Sequence, residues 1–310
     1  MHCQAYQPEH AAAWNNFVEQ SRNGIFLFKR HYMDYHAARF KDHSLWVMKD
    51  DKPLALLPAN IVDNTVYSHG GLTFGGLVLS PKVGAEAVLN IFTCVRDYLS
   101  MQGIHHWIYK PVPHIYHAAP SEDDLYALFR MQARLIRVDV STTISQNQRL
   151  PLATGRKGGL TKARNAGIKI CNSQDFESCW LILTERLLMR HGVSPTHSLA
   201  EITSLAERCP EIQLFMAYQN THPVAAVVVY DYQQVAHTQY IAVSDQGQAV
   251  GALDLLLETL ISETYAHRPY FNFGISTEKQ GLEINVGLCA QKEMFGGRST
   301  IQQWFEIECV

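Results

Sequence analysis

The chain has 310 residues, 47% of them hydrophobic and 18% charged, with a formal net charge of −3. That length is about twice an ordinary domain and points to two domains with real cores, while the composition excludes a disordered chain. The charge balance excludes a dedicated nucleic-acid binder with a large basic excess and leaves only a local basic patch open.

In chain order, the pattern predicts a first helix from Glu9 to Gln20 with Trp14, Phe17 and Val18 on its apolar face. Ser44–Lys49 and Leu54–Val62 read as a hairpin around Asp50 and Asp51, followed by the glycine-rich bend SHGGLTFGG from Ser68 to Gly76 and a strand starting at Leu77. A long amphipathic helix spans Val83–Met101, a strand Ile104–Tyr109, a helix capped by Ser121 follows, and a strand covers Leu135–Ile144. The second half is predicted as helices at Phe176–Met189 and Leu199–Arg208, a hairpin of Ile212–Tyr218 and Val224–Tyr232, and a strand at Val235–Val243. A helix at Gly251–Tyr265 and strands at Tyr270–Phe273 and Gln303–Glu308 complete it. Helix, hairpin, strand, long helix and strand thus occur twice, which suggests two related mixed α/β domains.

No apolar run approaches the roughly 20 residues of a spanning helix, and the first thirty residues do not resemble a signal peptide. The seven cysteines are odd in number and widely spaced, as expected of reduced thiols in a cytoplasm. The fifteen histidines include the adjacent His105 and His106, but no zinc spacing or HExxH pattern accompanies them, so no metal is expected.

Three segments could carry chemistry. From Val140 to Gln174 there is no Asp or Glu, while Arg149, Arg156, Lys157, Lys162, Arg164 and Lys169 supply six positive charges. Such a segment suits an anionic ligand or an acidic surface, and a solvated helix would read the same way. Gln239–Leu260 is a strand, a polar turn and a helix, in which Gly247 and Gly251 would let backbone amides approach a pyrophosphate; the glycines serve a plain turn equally well. Asp254 falls among leucines and requires a partner there. Tyr270–Arg298 runs from an aromatic strand into Ser276, Thr277, Glu278, Lys279, Asn285 and Lys292, groups able to orient a polar substrate, move a proton and hold an anion.

The element order and these residues together resemble the GNAT superfamily of acyltransferases. The two-domain layout, the basic connecting helix 156–166 within RKGGLTKARNAG (Arg156 to Gly167) and the closing KEMFGGR from Lys292 to Arg298 are similar to the FemABX-like group of tandem GNAT proteins, which includes peptidoglycan-bridge aminoacyl transferases. The blocks HGGLTFGGLV, SPTHSL, HTQYIAVSDQG, GALDLL and NFGISTE look closest to acetyltransferase-like members encoded with surface-polysaccharide genes. The resemblance covers nearly the whole chain. It implies a mixed α/β (α+β) protein of two tandem GNAT-like domains, residues 1–148 and 149–310, each a central mixed sheet flanked by helices.

The implied activity is cytoplasmic transfer of an acyl group from acetyl-CoA or another acyl-CoA. The implied acceptor is a small molecule or nucleotide-linked sugar, such as an amino sugar of cell-envelope polysaccharide synthesis. Gln248, Gly251 and Ala252 match the pyrophosphate pattern of the superfamily only in part, because Leu253 takes its last position. Fem-type proteins use charged tRNA instead and commonly carry a helical arm, which is not evident between Gly167 and Val310; the other alternative is a catalytically silent, GNAT-shaped binding protein.

Glu278 is the first candidate for general base, with His191 and His197 the second, although either histidine could simply cap or pack a helix end. Arg156, Lys162 and Lys292 are candidates for holding phosphates, and His69, Gln239, Asn272 and Ser276 for contacting substrate.

Overall fold

The computed structural model describes residues 1–191 and 193–309, apart from the side chains of His36, Met189, Arg190 and His191. Two compact units emerge. The first comprises Met1–Val140, Glu278–Glu283 and the chain from Ile301 onward; the second comprises Ser141–Thr277 and Ile284–Thr300. The expected boundary near residue 148 therefore misses one feature of the threading: the last strand, Arg298–Glu308, carries residues of both units, and its Phe305–Glu308 end pairs antiparallel with His106–Tyr109 in the first.

In the first unit, His2–Ala5, Leu45–Lys49, Lys52–Leu57 and Val78–Leu79 form one antiparallel sheet. Asp50 and Asp51, both with positive φ, make its tight two-residue turn. A second set of strands runs in the order Asn60–Val62, Thr65–Tyr67, His106–Tyr109, Arg298–Glu308 and Arg134–Ser145. The helix Ala85–Met101 buries Val88, Ile91, Phe92, Val95 and Leu99 in a core that includes Leu45, Val47, Trp107 and Tyr109. Ser121 does not cap the following helix. That helix, Asp123–Arg130, starts after Glu122, which makes no side-chain capping bond, and the Ser121 hydroxyl is buried without a hydrogen bond.

The second unit is a sheet in the order Arg134–Ser145, Tyr270–Ile275, Val235–Val243, His222–Asp231, Ile212–Gln219 and Ile168–Ser173. Every pairing is antiparallel except that of Val235–Val243 with Tyr270–Ile275, which is parallel. Its core joins Val227, Val229, Leu256, Leu260, Phe271 and Phe273. The helix Phe176–His191 lies on the sheet, and Leu199–Arg208 starts with a full capping box, Ser198 and Glu201 exchanging bonds.

Three local expectations change. Ile168–Ser173 is an edge strand, hidden in the sequence because it is short and half of its residues are polar. Val286–Glu293 is a helix capped by Asn285, whose side chain accepts from the Leu288 amide. The helix expected at Gly251 starts earlier, as Asp245–Val250 after Ser244, and restarts at Ala252–Thr259 through Gly251 in the left-handed region at φ 75°. A Cβ at Gly251 would stand 2.4 Å from the Gly159 carbonyl oxygen, so this glycine admits the helix Thr154–Asn165 to close contact.

Among the described residues, no helix is long and apolar enough to cross a membrane, and no cluster of His, Cys, Asp and Glu could hold a metal ion.

Gly251→Ala should cost about 1–3 kcal/mol of unfolding free energy, since it combines a left-handed φ with a backbone clash. Gly158→Ala, on the exposed side of Thr154–Asn165 with nothing within 4 Å of its Cβ, should instead stabilise by about 0.5–1 kcal/mol. Urea unfolding of the two variants checks the contrast.

Candidate functional site

The parallel pair of the second unit opens partway along its length. Pairing runs from Val235↔Tyr270 to His237↔Asn272 and, among the described residues, goes no further, although the strands continue to Val243 and Ile275. On the other edge of Val235–Val243 the register passes from Thr238↔Val229 to Tyr240↔Val228, leaving Gln239 as the extra residue of a bulge that turns the strand away. A cleft at the carboxyl ends of parallel strands is where an α/β sheet can admit a ligand.

The cleft has two adjoining lobes of about 300 Å³ each, both lined by Arg156, Arg186, Val243, Leu253 and Gln291. The apolar lobe adds Ile241, Leu257, Phe273, Leu288, Lys292 and Phe295; the polar lobe adds Gly247, Gln248, Gly251 and Asp254.

Asn272 organises the point where the strands separate. Its Oδ1 accepts from the Gly274 amide at 2.7 Å and from His237 Nδ1 at 2.8 Å, and its Nδ2 donates to Ser141 Oγ at 2.8 Å and Thr143 Oγ1 at 2.7 Å. Because Oδ1 can only accept, His237 carries its proton on Nδ1. Burial drives His237 down to about 4, against the bond to Asn272, so the ring is neutral. The Asn272–Gly274 bond accompanies a left-handed Gly274 (φ 71°), and the Gly274 and Ile275 carbonyls both accept from Lys292 Nζ, at 3.0 and 2.6 Å. Burial lowers Lys292 to about 8, so its neutral form is reached at lower pH than that of a solvated lysine.

Charge on the polar lobe is largely cancelled. Arg156 is paired with Asp254, the partner that carboxylate required, donates to the Gln291 carbonyl at 3.1 Å, and lies 4.6 Å from the Phe295 ring centre. Burial raises the Asp254 carboxyl, and Arg156 opposes that shift. Arg186 donates to Asp245 at 2.7 Å and to Gln248. The turn before Asp245–Val250 uses its own groups: Ser244 Oγ accepts from the Gly247 amide at 3.1 Å.

Of the residues singled out from sequence, Arg156, Gln248, Gly251 and Lys292 line this cleft. Ala252 is fully buried behind it. Gln239 and Asn272 shape the opening rather than line it. Ser276 is buried with an unsatisfied hydroxyl, and its carbonyl accepts from the Asn285 amide. His197 packs elsewhere in the unit: it is bonded through Nδ1 to the Tyr240 hydroxyl, and its carbonyl accepts from Trp180 Nε1. Lys162 is exposed on Thr154–Asn165. Glu278 is exposed in the two-residue strand Thr277–Glu278 and falls in the first unit. The His191 side chain lies outside the described residues. Arg186 and His237 were missed. Arg186 carries no signal in its helix, whereas His237 is a polar residue at an inward strand position.

The parallel pair of the first unit is closed instead. After Tyr67↔Ile108 the bend from Ser68 crosses its end: the Gly75 amide donates to the Lys110 carbonyl at 3.0 Å, and Lys110 Nζ donates to the His69 and Leu72 carbonyls at 2.7 and 2.6 Å. His69 is itself buried, with positive φ and its ring near Phe40.

Lysine 292 should leave a signature in stability. Its folded pKa lies below the unfolded value, so the unfolded chain holds the extra proton between about pH 8 and 10.5 and stability gains with rising pH there. Lys292→Met removes that gain. Its stability relative to the parent should be highest below pH 8 and fall toward pH 10.5, with a limiting slope of about 1.4 kcal/mol per pH unit, measured by denaturant unfolding across the range.

No protein-family model matches the chain, and no curated protein sequence matches it. Solved structures do. FemX aligns over 98% of this chain and 97% of its own with a TM-score of 0.67 at 10% identity. L-PGS from Bacillus licheniformis aligns over 97% and 92% with a TM-score of 0.63 at 13% identity. A tandem GNAT protein from the clavulanic acid biosynthesis pathway aligns over 100% and 98% with a TM-score of 0.53 at 9% identity. At such identities the likeness is one of fold, and the fold of this chain is the mixed α/β, tandem GNAT-like architecture.

Proposed function

We propose that the protein is an acyltransferase that takes an acyl group from acetyl-CoA or another acyl-CoA and passes it, in the cytoplasm, to the amine of an amino sugar or similar polar metabolite of cell-envelope polysaccharide synthesis. The observation that carries this reading is the opening of the parallel strands beyond His237 and Asn272 into an apolar cleft. Such a cleft desolvates a thioester lodged beside the strands. The closed counterpart in the first unit supports assigning the donor to the second.

Transfer then needs a neutral acceptor amine and a route for its proton. Glu278, three residues beyond the Tyr270–Ile275 strand, is the proposed base, directly or through water. Arg156 and Arg186 are the proposed contacts for the anionic part of a ligand, which would replace Asp254 and Asp245 as their partners.

One observation favours a second reading, Fem-type transfer from aminoacyl-tRNA to a cell-wall precursor. The turn that would hold a pyrophosphate is already occupied by Ser244, Asp245 and Arg186, so a carrier without a diphosphate at that place fits without rearrangement.

Thermal unfolding with acetyl-CoA, free CoA or tRNA separates the donors. A ligand at about 100 times its Kd adds about 2.7 kcal/mol, enough to raise the midpoint by several degrees. No response to CoA thioesters up to millimolar concentration overturns the first reading, and a response to tRNA alone establishes the second. Glu278→Gln should lower kcat by about 10²- to 10⁴-fold in protein that remains folded; unchanged turnover removes Glu278 from the chemistry.

A further inference from the structure

Lys292 is a buried amine on the wall of an apolar cleft, which is the setting of a nucleophile rather than of a solvated cation. Two of the three non-carbon positions of Nζ are taken up by the bonds to Gly274 and Ile275, whose carbonyls orient the nitrogen. The third has no acceptor among the described residues, and the side chain lines the cleft beside Phe273, Leu288 and Phe295. In the neutral amine that position holds the lone pair. Burial makes the neutral form accessible near pH 8. The exposed Lys157 and Lys162 have neither the carbonyl cradle nor the cleft.

We propose that Lys292 is itself an acyl acceptor, and that a thioester or other activated carboxyl lodged in the cleft acylates Nζ and thereby shuts the site. The proposal rests on the reading that the acyl donor binds in this cleft. The Nζ lone pair attacks the carbonyl carbon and forms the C–N bond. The bond from that carbon to sulfur, or to the ester oxygen, breaks with its electron pair on the leaving group, and the proton lost from nitrogen accompanies the thiol or alcohol. No oxidation or reduction is involved.

The amide that results has one N–H where the amine had two bonded, so one of the two carbonyls loses its donor. Its acyl group also occupies part of a lobe of about 300 Å³. Self-acylation thus couples exposure to unused donor with loss of donor binding, and it differs from productive turnover only in which amine is attacked.

The test uses the full-length protein and peptide mass mapping after timed exposure to acetyl-CoA and, separately, to the N-hydroxysuccinimide ester of acetic acid, each at pH 7 and pH 9. The expected result is one added acyl group at Lys292, formed at least about tenfold faster than at Lys157 or Lys162 because the cleft supplies proximity, and faster at pH 9. Gly274→Ala provides a second variant. Its methyl has room, the nearest atom being His237 Cε1 at 3.5 Å, but its φ is unfavourable, so labelling of Lys292 should slow while that of the exposed lysines does not.

Labelling of Lys292 by the small ester but not by acetyl-CoA upholds the nucleophile and overturns the acyl-CoA donor. A thermal shift with acetyl-CoA but no preferential labelling of Lys292 by either reagent overturns the nucleophile and leaves the donor standing. Labelling of Lys292 no faster than of the exposed lysines by both reagents also overturns the proposal.

Discussion

Asn272 uses its full hydrogen-bonding capacity inside the second unit, and the cleft depends on that saturation. Two donors and an acceptor with two lone pairs face Ser141, Thr143, Gly274 and His237. A buried amide with any of these bonds missing would carry the cost of an unsatisfied polar group, so the four partners hold one another in place. The last paired rung of the parallel strands, the left-handed turn at Gly274 and the carbonyls that receive Lys292 all follow from this one side chain.

The wall opposite is built by close helix contact. Gly251 and Gly159 let Ala252–Thr259 and Thr154–Asn165 meet at backbone distance, and Arg156 and Asp254 are brought together beside that contact. A pair like this adds little net stability once desolvation is counted, yet it fixes where the guanidinium points. Because the arginines of the cleft already have carboxylate partners, an anionic ligand must compete with Asp254 and Asp245, which tunes selectivity more than raw affinity. The two units show how one architecture serves different ends. The parallel strands diverge around a bulge at Gln239 in one, while a glycine-rich bend and a buried lysine seal the equivalent end in the other.

Most of the fold was legible in the residues. The apolar stripe of Ala85–Met101 reports burial directly, because the helix period is set by backbone geometry. The misreadings share a cause. Ile168–Ser173 pairs on one side only and needs few apolar residues, and the Asp245–Val250 helix begins at a polar turn, so neither displays the pattern of a buried element. For the site, the sequence marked the segment from Tyr270 to Arg298 but not the roles within it. Lys292 reads as an anion anchor until its two carbonyl partners are seen, and His197 reads as a base until Tyr240 and Trp180 enclose it.

By itself the sequence determined the two-part α/β plan, the positions of the long helices and strands, and the concentration of polar groups after Phe273, all of which are written in local periodicity and composition. Only the tertiary structure decided that the parallel strands part after His237 and Asn272, that Arg186 joins Arg156 on the cleft wall, and that Lys292 is a desolvated amine. Those properties arise from contacts between residues dozens of positions apart, and burial of a charge is a property of its surroundings that no local pattern encodes.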